Sequence, residues 1–179
     1  STAALSRDHT ITVSPSGLLT ICGGKWTTYR KMAEDAVDHA VTLAQLDERP
    51  CVTKHFHLHG YINDAERFGP LAVYGADAPG VEAVGKTEPD LAGPLHDALP
   101  ITRAQVVWAA RNEMARTVED VLARRTRALL LDARAALDMA PEVARLLAAE
   151  LGKDEAWRAL QVAEFGQLAE GYLPRGRAS

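Results

Sequence analysis

The residues best suited by type to do chemistry lie in one short run, Gly23-Gly24-Lys25-Trp26-Thr27-Thr28. Glycines let a ligand approach the main chain, and the first N–H groups of a following helix offer donors to an anion. Lys25 adds a cation and the threonines add hydroxyls. The run therefore suits a phosphate or the negatively charged edge of a cofactor. It is not a P-loop, because position 19 is leucine rather than glycine and Trp26 follows the lysine. The same residues serve equally well as a plain strand–turn–helix corner carrying an exposed lysine.

Three further groupings have weaker claims. Arg7, in Ser6-Arg7-Asp8-His9, can grip a carboxylate or phosphate bidentately, or simply pair with Asp8 in a surface turn. His55, His57 and His59 fall on one face if residues 51–59 are extended. No carboxylate or cysteine arrangement completes a metal site around them, so a solvated face is expected and no metal ligands are assigned. Arg116, Arg124, Arg125, Arg127 and Arg134 are interleaved with Glu113, Glu119, Asp120 and Asp132. Helical i,i+4 pairing explains most of that pattern; a docking face for a partner domain is the sharper alternative. No HExxH, GxSxG or EF-hand loop occurs, and no GxGxxG that would cradle a dinucleotide pyrophosphate.

The elements that must position the run are legible from periodicity and punctuation. Ile11 to Ser14 alternates, Pro15-Ser16-Gly17 turns, and Leu18 to Cys22 reads as a second strand. After Gly23-Gly24, a helix capped by Thr27 or Thr28 is expected to run to about Leu46, with Met32, Ala33, Ala36, Val37 and Ala40 at helical spacing. Asp47-Glu48-Arg49-Pro50 is the expected boundary, dividing 1–46 from a helical domain at 51–179. Asn63 is expected to cap a helix over 64–74 that breaks at Gly69-Pro70. The Gly- and Pro-rich stretch 75–100 is expected to hold only short turns. Thr102, Thr117 and Asp154 are read as N-caps, Pro141 as a first-turn proline and Gly152 as a helix-ending glycine. A segment over 129–137 places Leu130 in the core, and Leu146 is expected there too.

The 179 residues are 47% hydrophobic and 25% charged, ordinary for a globular chain. A formal charge of −4 argues against broad nucleic-acid binding but permits a local phosphate site. The only cysteines, Cys22 and Cys51, form no CxxC and read as reduced thiols of a cytosolic protein. The fold class expected is mainly α, with a ββα piece in front whose strands want partners, since a lone hairpin is marginal in water. The chain does not begin with methionine, which suits a piece of a longer protein.

Residues 5–38, LSRDHTITVSPSGLLTICGGKWTTYRKMAEDAVD, closely resemble the closing segment of the flavin domain of FAD-dependent (aerobic) glycerol-3-phosphate dehydrogenases. Residues 113–137, EMARTVEDVLARRTRALLLDARAAL, resemble that family's C-terminal helical cap domain, and 161–173, QVAEFGQLAEGYL, its closing helix. The resemblance implies an enzyme that oxidises sn-glycerol 3-phosphate to dihydroxyacetone phosphate, with FAD taking the hydride and quinone taking the electrons. It implies that Arg7 contacts the substrate, that Lys25 sits beside flavin and substrate as the catalytic cation, and that Gly23, Gly24, Trp26 and Thr27 line the flavin. It also implies an absent N-terminal FAD domain as partner, a peripheral place on the inner face of the cell membrane, and a possible homo-oligomer. A piece lacking the dinucleotide fingerprint is expected to be inert alone. An interaction or regulatory role for the helical part, in assembly or membrane-side docking, is the alternative.

Overall fold

The computed structural model describes residues 8–173, and these divide into two compact units that meet in sequence between Leu58 and His59. The molecule is mainly helical, with two small two-stranded sheets.

In the first unit, β1 (His9–Val13) and β2 (Leu19–Gly23) pair antiparallel, with Ile11 opposite Ile21 and His9 opposite Gly23. The turn between them is closed by Ser14, whose carbonyl accepts from the Gly17 N–H at 2.9 Å and whose hydroxyl accepts from the Leu18 N–H at 3.1 Å. A 3-10 turn, Trp26–Thr28, leads into α1 (Tyr29–Leu43). Residues 47–58 add no strand. His55 donates its N–H back to the Val52 carbonyl, so residues 51–59 turn instead of staying extended, and the three histidines share no strand face. Cys22 and Cys51 are free, exposed thiols.

The second unit holds the core. A 3-10 stretch, Ala65–Asp77, is interrupted at Gly69 and Gly75; Asp64, not Asn63, stands at its start. Next comes α2 (Ala78–Thr87), a full helix where only short turns were expected. Pro79 sits in its first turn, where no N–H is required. Gly80 belongs in the helix because a Cβ there would lie 2.5 Å from the Trp108 ring. A bulged hairpin follows, β3 (Pro94–His96) with β4 (Leu99–Thr102). Thr102 then opens α3 (Arg103–Asn112), its N–H donating to Gln105 Oε1 at 2.8 Å.

Beyond α3 the chain makes a π-helical turn, Asp120–Arg125. Thr117 and Asp120 cap it reciprocally: the Thr117 hydroxyl accepts from the Asp120 N–H, and the Asp120 carboxylate accepts from the Thr117 N–H, both at 3.0 Å. The single turn α4 (Ala128–Leu131) ends at Asp132, which caps α5 (Ala133–Leu151) by accepting from the Arg134 and Ala135 N–H groups. The expected continuous segment 129–137 is thus broken, and the break overturns one core assignment. Leu129 points inward at 2% exposure while Leu130 is 56% exposed; Leu146, at 4%, is in the core as expected. Pro141 lies inside α5 rather than at its start. It occupies the exposed face, where water can reach the carbonyl that loses its donor. Gly152 ends α5 at φ +63°, and Asp154 caps α6 (Glu155–Glu170) through the Trp157 N–H. Val106, Val118, Leu122, Met139, Val143, Leu147 and Phe165 form the centre of the core, each buried. No helix among the described residues is long and apolar enough to cross a membrane.

Candidate functional site

The Gly23–Thr28 run is a corner built from three local causes. The β1–β2 ladder ends where His9 faces Gly23. Gly23 and Gly24 then take φ +79° and +75°, a left-handed pair that L side chains rarely adopt. Crowding adds to the demand for glycine: a Cβ on Gly23 would stand 3.1 Å from the Asp8 carbonyl, and one on Gly24 would stand 2.4 Å from Met32 Sδ and 3.4 Å from His9 Cβ. Lys25 follows in extended conformation, φ −140° and ψ 157°. The Thr28 hydroxyl accepts from the Lys25 N–H at 3.1 Å and donates to the Lys25 carbonyl at 3.0 Å. That pair of bonds fixes the backbone from which the lysine projects.

Lys25 and Trp26 are exposed, Trp26 at 87%. The Trp26 and Tyr29 rings lie 5.8 Å apart with a 31° tilt, an aromatic surface beside the lysine. The carboxylates on the first turns of α1 are already engaged. Arg30 binds Glu34 at 2.6 Å, Lys31 reaches Glu34 at 3.3 Å and Asp35 at 2.8 Å, and His9 Nε2 meets Asp35 at 3.0 Å. Hydrogen bonds from Arg30 and Lys31 hold Glu34 below the usual carboxylate range, and the Lys31 hydrogen bond does the same for Asp35, assisted by His9. Lys25 has no ion pair among the described residues, so its charge is available to a ligand. A left-handed glycine turn, a cation with no ion pair among the described residues and an exposed ring fit one edge of an anionic, planar cofactor such as a flavin; they do not enclose one.

Of the residues singled out in the sequence, Gly23, Gly24, Lys25, Trp26 and Thr27 stand together in this corner. Arg7 lies outside the described residues. His9, Met32 and Asp35 were missed. Met32 was read only as an apolar position of the helix, and the i,i+4 spacing of Lys31 and Asp35 hints at Asp35 alone. Three arginines of the run are engaged internally: Arg124 pairs with Asp120 at 2.9 Å, Arg125 donates to the Glu113 carbonyl at 2.6 Å, and Arg116 donates to the Ala110 and Ala115 carbonyls. Among the described residues no three His, Cys, Asp or Glu side chains gather as a metal ion requires.

Comparison with known proteins places this corner in context. The model for the C-terminal domain of alpha-glycerophosphate oxidase matches residues 19–158, well over half of the chain. A probable mitochondrial glycerol-3-phosphate dehydrogenase of Caenorhabditis elegans is 37% identical over 182 residues, covering 90% of this chain and 25% of that protein. Glycerol-3-phosphate dehydrogenase 2 of Mycobacterium bovis is 34% identical, covering 99% of this chain and 32% of that protein. The chain therefore spans about a quarter to a third of the length of these relatives. Among solved structures, the glycerol-3-phosphate dehydrogenase from Bacillus halodurans complexed with FAD shares the fold, with a TM-score of 0.65 at 24% identity over 95% of this chain and 39% of that one. With that match across most of its length, the chain belongs to the family of C-terminal domains of alpha-glycerophosphate oxidase.

Proposed function

We propose that this chain works as the C-terminal part of an FAD-dependent sn-glycerol-3-phosphate dehydrogenase, in which Lys25 stands at the flavin and substrate. The observation that carries the reading is the corner itself: a double-glycine turn presenting, beside an exposed tryptophan, a lysine with no ion pair among the described residues, in a chain whose relatives bear that enzyme's name.

When bound, FAD supplies the acceptor for the hydride leaving glycerol 3-phosphate. The Lys25 ammonium would attract the anionic substrate and favour the negative charge that reaches the flavin with the hydride, an electrostatic contribution made where the charge appears. Gly23 and Gly24 make the left-handed turn that brings the lysine to this wall, and Trp26 and Thr27 form the rest of it. Arg7 holds the substrate's phosphate and so contributes affinity more than rate, since the phosphate is present equally in ground and transition states. Quinone receives the electrons, and the whole protein lies peripherally on the inner face of the cell membrane. The remaining walls, with the dinucleotide cradle, belong to an N-terminal FAD domain, and this chain alone is inert. A second role, in assembly or docking, is proposed for the helical unit; it is favoured by exposed Leu130 and Leu131, which with Tyr172 line a surface cavity of about 310 Å³.

The test is steady-state assay of the intact protein with glycerol 3-phosphate and a soluble quinone. Substrate-dependent flavin bleaching and quinone reduction are expected; a flavin that glycerol 3-phosphate leaves oxidised refutes the proposal.

A further inference from the structure

The turn that presents Lys25 is intrinsically costly to hold. Two successive glycines at positive φ have more freedom to lose than any other residue pair, and they lie at the open end of a two-stranded ladder, where pairing frays. What holds them is a junction centred on His9. On one side, His9 lies opposite Gly23 in the ladder, and its Cβ is one of the atoms that a side chain on Gly24 would meet. On the other, its Nε2 meets the Asp35 carboxylate of α1 at 3.0 Å, with the two side chains only 18% and 25% exposed. Asp35 is itself fixed by Lys31 at 2.8 Å, and Met32, one residue on from Lys31, closes over Gly24. Strand, turn and helix are thus joined through one imidazole.

We infer that His9 is a positioning residue for Lys25: by joining β1 to Asp35 on α1 it fixes the double-glycine turn, and so the point from which the lysine side chain emerges. The inference rests on the reading of Lys25 as the flavin-side cation. His9 touches neither substrate nor flavin in this role. A lysine side chain is long and flexible, so its ammonium finds the reacting centre reproducibly only if its backbone is held. Displacements of about 1 Å from productive geometry cost on the order of a hundredfold in rate.

The test uses the intact enzyme carrying His9→Leu, His9→Gln or Lys25→Ala. Glutamine places an amide nitrogen where it can still donate to Asp35; leucine fills the space but donates nothing. His9→Leu is expected to lower kcat about ten- to a hundredfold, with KM and melting temperature near the parent values, and His9→Gln to restore most of the loss. In the 179-residue chain, the backbone amide NMR signals of residues 23–28 should move in His9→Leu while those of the helical core stay in place. A parental kcat in His9→Leu beside an impaired Lys25→Ala overturns the positioning role and leaves the proposed function standing. Equal losses in both His9 variants, accompanied by a fall in melting temperature, also overturn it, since the histidine is then merely structural. A parental rate in Lys25→Ala removes the assigned role of the lysine, and the inference with it.

Discussion

Lys25, the cation proposed for the flavin site, needs little from its surroundings once its backbone is held. It is exposed, its main chain is clamped by Thr28, and nothing among the described residues competes for its charge. Replacing it should therefore damage chemistry without damaging the fold. In the intact enzyme, Lys25→Ala is expected to lower kcat/KM about 10²–10³-fold. In the 179-residue chain the melting temperature should be unchanged, as for any exposed position free of special contacts. Parallel stopped-flow reduction of the flavin and thermal melts check both halves. The glycines and the lysine were legible in the sequence because the turn is local: each cue lies within a few residues of the next. His9 and Asp35 were not, since they meet only after the hairpin has paired and α1 has folded back on it.

Among the elements, the errors and successes have distinct causes. Caps were read correctly at Thr102, Thr117 and Asp154 because a cap is a bond between neighbours in sequence. Leu130 was misplaced because the periodicity ran through Asp132, whereas Asp132 caps a new helix and so changes the face presented. The energetic consequence separates the two leucines. Leu146→Ala should destabilise the chain by about 2–5 kcal/mol, since it leaves a cavity in the core. Leu130→Ala should fall within about 0.5 kcal/mol of the parent; urea unfolding followed by circular dichroism distinguishes them.

Glu113 supplies a prediction of different sign. It stands at the C-terminal cap of α3, where the helix dipole already disfavours an anion. Burial pushes its carboxyl up and the Asp77 charge adds to this, against the opposing pull of Arg125. A carboxyl raised in the folded state takes stability away as pH climbs from its ordinary range near 4.5 through the raised value. Glu113→Gln should accordingly raise the melting temperature at neutral pH, and the gain should vanish below pH of about 4. Melts at both ends of that window check it.

At the scale of the molecule, the contrast between the units is one of burial. None of residues 8–58 is fully buried, whereas the second unit packs a continuous core from Leu91 to Ala169. Local stability follows burial, so amide hydrogen exchange should be fast through β1, β2 and α1 and slowest in α5. Protection of the first unit equal to that of α5 would contradict this account. The chain alone should also stay colourless when mixed with FAD and passed over a desalting column, because the corner proposed as one edge of a flavin site encloses nothing. Co-eluting stoichiometric flavin would show that the walls present suffice.

Some of this protein was determined by sequence alone: the mainly helical class, the turn that needs glycine, the caps, and the motif blocks that announce the family. All of these depend on interactions between residues a few positions apart, where steric limits and hydrogen-bond geometry leave few alternatives. Only the tertiary structure decided the rest. Which leucine of Leu129–Leu131 faces inward, why Gly80 is tolerated in a helix, how a proline survives inside α5, and which groups brace the turn before Lys25 all depend on packing between distant segments. Burial and close approach are properties of the assembled chain, and no local pattern carries them.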